Sequence, residues 1–268
     1  MKKFGEKFER YEPIEMEPES VQNMEREFQK EEEKEYKEKG YQYKSLREKG
    51  YKELRAELKE ELNKPVIEVA PTANVHQIPP DQEDVSDYIK KTFAWFNYYV
   101  VELGLNVMVG RKLKVPELLF KAALTCDKNE TDAVAYDIAP KNETEYTKLL
   151  SGNVKITLGV TTLLRFIPVP LGEVIPDLLK ADINPWEFEW GMSEYTIDAA
   201  GEKSNNVYWK IYGTDMVQGF NPTIIVRAKK DVSKISAGVR CVYLLKAGWR
   251  DFSPKIESKE KEVIIWPV

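Results

Sequence analysis

Histidine occurs once and cysteine twice in this 268-residue chain, and those scarcities remove much of the familiar side-chain chemistry. His76 alone cannot supply a zinc set or the usual Ser-His-Asp relay. Lying among Pro71, Pro79 and Pro80, it reads as a surface histidine in a loop. Cys126 and Cys241 stand 115 positions apart; with no secretory leader, they read as small buried hydrophobes rather than a disulfide. The opening stretch MKKFGEKFERYEP starts on lysines but carries no apolar h-region, so no signal peptide is expected. Long hydrophobic runs are missing as well. The best apolar segment is uncharged only from Thr92 to Val101, ten residues where a bilayer needs roughly 20. No membrane span is expected, and the chain is placed in a virion or the cytoplasm. An excess of positive charge is also lacking: the formal net charge is −5, which argues against a general grip on phosphate backbones.

Charged residues, by contrast, make up 32% of the chain and are mostly Glu and Lys. That balance, with few thermolabile residues, is typical of proteins that work hot. It is strongest in residues 1–64, which hold 16 Lys or Arg against 18 Glu and no Asp. Such a segment cannot bury a core alone, yet its apolar residues are patterned. Val21, Met24 and Phe28 fall at helical spacing, as do Tyr51, Leu54, Leu58 and Leu62. Ser20 is a candidate N-cap for the first helix, and Ser45 with Glu48 forms a capping box for the second. Residues 1–64 are therefore expected to form a charged helical arm whose narrow seam seeks a partner. Residues 65–80, with four prolines, read as a linker.

The body, residues 81–268, is expected to be α+β. Asp84 to Leu103 carries apolar and aromatic residues at helical spacing and reads as a central aromatic helix. Its apolar arc, widened by Trp95, Tyr98, Tyr99 and Val101, is too broad for a simple amphipathic face, which suggests cover on two sides or contact with another chain. Pro116 in the favoured first helical position starts a short helix to Thr125. From Ala133 the period becomes two. Strands are expected over Ala133–Ile138, Asn153–Phe166, Glu187–Ile197, Asn206–Tyr212, Thr223–Ala228, Ala237–Lys246 and Val263–Trp266, with a turn at Asn205-Asn206 and a short helical turn over Val174–Leu179. Val239, Cys241, Tyr243 and Leu245 alternate with Arg240, Val242 and Leu244, so that strand is apolar on both faces and should be central. The expected architecture is the helix packed on a mainly antiparallel sheet or sandwich.

Few constellations suggest chemistry. Glu187 and Glu189 share one face of a strand, with nothing to desolvate either. Gly201-Glu202-Lys203-Ser204 lacks the spacing of a phosphate-binding loop. The two Asn-x-Thr sequons at Asn129 and Asn142 carry no weight without a leader. No cofactor is implied, and no catalytic or metal-binding set emerges, so an enzyme is not expected. Arg111, Lys112 and Lys114 precede Pro116 and are candidate anion contacts. Trp186, Trp190, Trp209, Trp249 and Trp266 lie in the strand-rich third; with Lys210, Arg227, Lys229, Lys230, Lys234 and Arg240 they outline a platform on which single-stranded nucleic acid could stack. The competing role for such aromatics is as core or interface anchors.

In general character the chain resembles orphan structural proteins of viruses of hyperthermophilic archaea: thermophile-like composition, an extended charged arm, an aromatic-rich body and no catalytic signature. That resemblance implies a virion or assembly role. The leading expectation is a non-enzymatic protein that self-associates, as a homo-oligomer or with other virion proteins. Tyr51, Leu54, Leu58 and Leu62 of the arm and Trp95, Tyr98 and Tyr99 of the body are the candidate interface. The alternative is a nucleic-acid-associated protein using the tryptophan- and lysine-rich sheet.

Overall fold

The chain was described as a computed structural model covering residues 8–39, 66–80, 87–108, 113–141, 154–157, 165–168, 196–212, 220–247 and 254–267. Tyr51, Leu54, Leu58, Leu62, Arg111, Lys112, Trp186, Trp190 and Trp249 lie outside the described residues, as do the capping box at Ser45 and the helical turn over 174–179.

The body is built from strands, and the expected α+β arrangement is overturned. In place of a helix from Asp84 to Leu103 there is one short helix, Asp87–Thr92, followed by a turn and the strand Phe96–Glu102. The physical reason lies in Phe96-Asn-Tyr-Tyr-Val-Val. Aromatic and β-branched residues favour the pleated surface, and the broad apolar arc is the signature of a strand covered on both faces. Tyr98 and Val100 are buried against one side, Tyr99 and Val101 against the other.

Pro116–Thr125 is likewise no helix but part of a strand, Leu113–Cys126. Leu119 and Ala123 place apolar residues on the outer face as well, which hides the alternation of buried Leu118, Phe120, Ala122 and Leu124. Pro116 is accommodated where the ladder shifts register opposite Leu245, the kind of position at which a strand tolerates the missing donor.

In chain order the elements are β1 Glu12–Pro13, α1 Pro18–Lys39, β2 Ile67–Val69, β3 Asn74–Gln77, α2 Asp87–Thr92, β4 Phe96–Glu102, β5 Leu105–Val107, β6 Leu113–Cys126, β7 Ala133–Ala139, β8 Val154–Thr157, β9 Arg165–Pro168, β10 Thr196–Ala200, β11 Asn206–Tyr212, β12 Thr223–Lys229, β13 Ile235–Ala247, β14 Lys255–Glu257 and β15 Lys261–Trp266. One sheet has the order β10-β11-β6-β13-β14, with β15 also paired to β13; a second has the order β3-β4-β12-β7; β1-β2-β5 and β8-β9 form smaller sheets. Every one of these strand pairings is antiparallel, as the alternating pattern leads one to expect, and β13 is interior in its sheet.

The two larger sheets enclose the main core as the layers of a sandwich. Phe120, Trp209, Val239 and Cys241 from the first meet Tyr99, Val101, Ile224 and Val226 from the second. On its outer face the second sheet carries a smaller core, in which Ile89 and Phe93 pack on Tyr98, Val100 and Ile225.

The N-terminal segment and the proline-rich stretch both enter this body. Val66, Ile67, Val69, Ala73 and Val75 are buried in the main core, as are Ile14 and Met24. Helix α1 begins at Pro18, the first-turn position that proline suits. The Glu17 carbonyl accepts the Val21 N–H, so Ser20 is not the N-cap; its hydroxyl accepts the Glu257 N–H at 3.0 Å instead. Between β10 and β11 the chain turns through Gly201, at φ +114°. A Cβ there would stand 2.1 Å from the Asn206 carbonyl oxygen, so only glycine fits.

Trp209, fully buried beside Phe120 with ring centroids 6.0 Å apart, gives a test of where the core's stability lies. Its indole N–H meets no acceptor among the described residues, so the side chain contributes through packing alone. Trp209→Ala is expected to cost about 3–5 kcal/mol. Trp209→Phe should cost less than half of that, since no hydrogen bond is lost with the indole. Guanidinium unfolding followed by circular dichroism checks both; equal losses would show that the N–H matters.

Candidate functional site

The sequence-derived candidates divide between the faces of two sheets. Helix α2 ends at Thr92, whose hydroxyl bonds the Ile89 carbonyl at 2.9 Å and the Tyr98 hydroxyl at 2.8 Å. The turn that follows closes through Trp95 N–H to the Thr92 carbonyl, and the Trp95 carbonyl accepts the Lys230 N–H at 3.2 Å. Trp95 and Lys230 are therefore neighbours, and Trp95 is 65% exposed. Tyr98 and Tyr99 are not surface residues. They belong to the cores on opposite sides of β4, because adjacent strand residues point opposite ways.

Arg227, on the face of β12 shared with Tyr98, lies over the Phe96 ring at 4.7 Å and the Tyr136 ring at 5.4 Å. Lys229 pairs with Asp132 at 2.7 Å, which holds the ammonium above its ordinary pKa. Lys114 is exposed near the start of β6, opposite Lys246.

His76 sits in β3 rather than in a loop, opposite Val100. Burial lowers its pKa, which favours the neutral imidazole. Among the described residues no group of three His, Cys, Asp or Glu side chains is placed to hold a metal ion, and no helix is long and apolar enough to cross a membrane.

The expected tryptophan platform does not form from the described tryptophans of the strands. Trp209 faces the core and Trp266 packs against Tyr99, with centroids 5.4 Å apart. What faces outward from β11 is Tyr208, 37% exposed, and Lys210, which pairs with Glu117 at 2.9 Å and lies 4.6 Å from the Tyr212 ring. Tyr208 is opposite Lys121 in β6, and Lys121 is opposite Arg240 in β13. The three side chains thus form one cross-strand row on the outer face.

That row leads into a groove of about 670 Å³ between the outer sheet face and α1. Lys121, Arg240 and Val242 line it from the sheet; Ser20, Asn23, Arg26 and Lys30 line it from the helix. Arg26 and Lys30, four residues apart, share a helix face. Like charges directly opposite one another on a sheet repel, yet Lys121 and Arg240 are so placed. Arg240 leans toward Glu17 at 3.6 Å and Glu260 at 3.8 Å, long for a charge-assisted hydrogen bond of about 2.7–2.9 Å. Lys121 makes no ion pair among the described residues, though its charge helps to lower the pKa of Glu257. Sequence reasoning missed Tyr208, Lys121, Arg26 and Lys30. For Tyr208 the signal was present, since the alternation that buries Trp209 must expose its neighbour.

The segment that leads into α1 is pinned to the sheet by backbone bonds and by two ion pairs. Glu17 N–H donates to the Glu257 carbonyl at 2.8 Å. Lys261 pairs with Glu12 at 2.7 Å and Lys259 with Glu15 at 2.6 Å, whereas Lys255 and Glu257, 2.8 Å apart, pair within β14 itself. In each case the lysine's hydrogen bond is the main cause that lowers the carboxyl below its ordinary pKa of 4.5.

No family model matches this chain, and no curated protein matches it. Among solved structures it is similar to one described as "Pore forming protein", at 8% identity and a TM-score of 0.33, over 73% of this chain and 87% of that one. A likeness at that level carries no argument about function.

The ion pairs predict how the N-terminal segment responds to acid. Because the folded pKa values of Glu12 and Glu15 lie below the unfolded value, their contribution is complete above about pH 4.5. It is lost as the pH falls through the depressed folded values. Hydrogen exchange at pH 3 and pH 6, corrected for intrinsic rates, should show the amides of Ile14 and Glu17 losing protection at the lower pH while those of β6 keep theirs. Unchanged protection at Ile14 and Glu17 would mean that the backbone bonds alone hold the segment.

Proposed function

We propose that this chain is a non-enzymatic structural protein that associates with itself. In keeping with its thermophile-like composition, we place it in or with a virion of a heat-adapted host. The observation that carries the association is Trp95. A 65% exposed indole, its backbone tied on one side to Thr92 and on the other to Lys230, presents a large apolar surface at little entropic cost. Residues of this kind are the usual anchors of protein interfaces. The arm adds a second source of contact, since α1 is exposed at Arg26, Glu27, Gln29 and Lys30, beyond the Met24 contact.

In this reading Trp95 inserts into a second copy. Light scattering on the full-length chain at high micromolar concentration should give an oligomer. Trp95→Ser should weaken the association by roughly 30-fold or more, as expected for an interface anchor worth about 2 kcal/mol, without lowering the melting temperature. A monomeric wild type would overturn the proposal. An oligomer unaffected by Trp95→Ser would overturn the role of this residue.

A further inference from the structure

The outer face of the larger sheet supports an activity separate from self-association. We infer that the row Tyr208–Lys121–Arg240, with the groove beside α1 into which it leads, binds single-stranded nucleic acid.

The argument starts from spacing. Neighbouring strands lie about 4.8 Å apart, and Tyr208, Lys121 and Arg240 occupy registered positions on three adjacent strands, β11, β6 and β13. An exposed ring and two cations therefore stand in line within about 10 Å on one face. A ring available for stacking beside a cationic path is what a single strand requires, because every base offers a π-face and every linkage a phosphate.

The charges favour the same ligand. Lys121 and Arg240 repel one another across the ladder, and the carboxylates nearest Arg240 stand off at 3.6 and 3.8 Å. An anion seated between the two cations relieves that repulsion. On the helix side Arg26 and Lys30 extend the cationic lining, whereas Glu17, Glu19 and Glu27 share that wall. The strand's path is thereby set along the sheet floor, with the helix as a guard rail. Glu257, also in the groove, is paired with Lys255 at 2.8 Å and feels the charges of Lys121 and Arg240 as well, so an incoming phosphate competes with it.

A tyrosine and two close cations also explain why an acidic chain should bind modestly. With two or three phosphates neutralised, affinity should fall with salt at a slope of about −1.4 to −2.1 in log units. A duplex cannot use the Tyr208 ring, since its bases are already stacked.

The test uses the full-length protein and a fluorescein-labelled 12-mer of oligo(dT), read by anisotropy in about 50 mM salt. Saturable binding is expected, with that salt slope. Tyr208→Ala and Lys121→Glu should each weaken binding roughly tenfold. Both side chains are exposed, so unchanged circular dichroism and melting temperature serve as the control for folding. Trp95→Ser should leave binding unchanged, which separates this site from the self-association surface. No binding in 50 mM salt would overturn the inference. So would binding indifferent to Tyr208→Ala, or equal competition by inorganic polyphosphate and by a 12-base-pair duplex; either would reduce the row to a patch of positive charge.

Discussion

The antiparallel ladder between β6 and β13 is the constraint on which the rest of the molecule depends. It runs from Cys126 opposite Ile235 to Leu113 opposite Ala247 with one shift of register, and it joins segments about 110 residues apart, as Thr125 and Ser236 illustrate. Closing so long a loop costs entropy that only a long, two-sided strand pair can offset. The free edge of β6 then receives β11, and the far edge of β13 receives β15 and β14 in succession. Where those two short strands leave a gap, Ser258 bridges it: its N–H donates to the Cys241 carbonyl and its hydroxyl accepts the Cys241 N–H at 2.8 Å. That join is also where the N-terminal segment attaches, through Met16 opposite Ser258 and Glu17 against Glu257. The groove exists because α1 is fastened at one end to a seam in the sheet.

This arrangement explains which parts of the fold the sequence reveals. Strands with one wet face declare themselves. In β11, Val207, Trp209 and Ile211 alternate with Asn206, Tyr208 and Lys210, and the expected bounds match the observed ones. The central position of β13 also follows from its two-sided apolar pattern. The same feature misleads in β4 and β6. When both faces of a strand are apolar, the period of two disappears, and what remains in β6 is a run of Leu, Ala, Glu and Lys that favours helix. Only the partner strands decide the matter, and they lie far away in sequence. In β4 the aromatic and β-branched content is the better guide, and of the helix expected from Asp84 to Leu103 the described residues form only the short α2, Asp87–Thr92.

The shortest strands were out of reach for a different reason. β1, β2, β5 and β14 are two or three residues long, too short to show any period. β2 and β3 lie in a proline-rich stretch that looks like a linker, yet its apolar residues are core. Pro71 can accept at its carbonyl from the Ile264 N–H without needing a donor of its own, so proline content did not prevent this segment from joining the body.

The candidate site follows the same logic of alternation, applied to chemistry. Counting tryptophans and lysines along the chain gives a platform only if they share a face. Period two forbids this for neighbours: burying Trp209 sends Tyr208 and Lys210 to the surface. Cross-strand register then selects which cations stand beside that ring, and it selects Lys121, from a segment that reads as helical in sequence. Trp95 escapes the rule because it lies in a turn, where no partner strand fixes its direction inward. The surface aromatic at the end of α2 and the aromatic row on the outer sheet therefore have separate origins, one in a turn and one in a ladder. Their separation means that the proposed self-association and the proposed ligand binding are open to alteration one at a time.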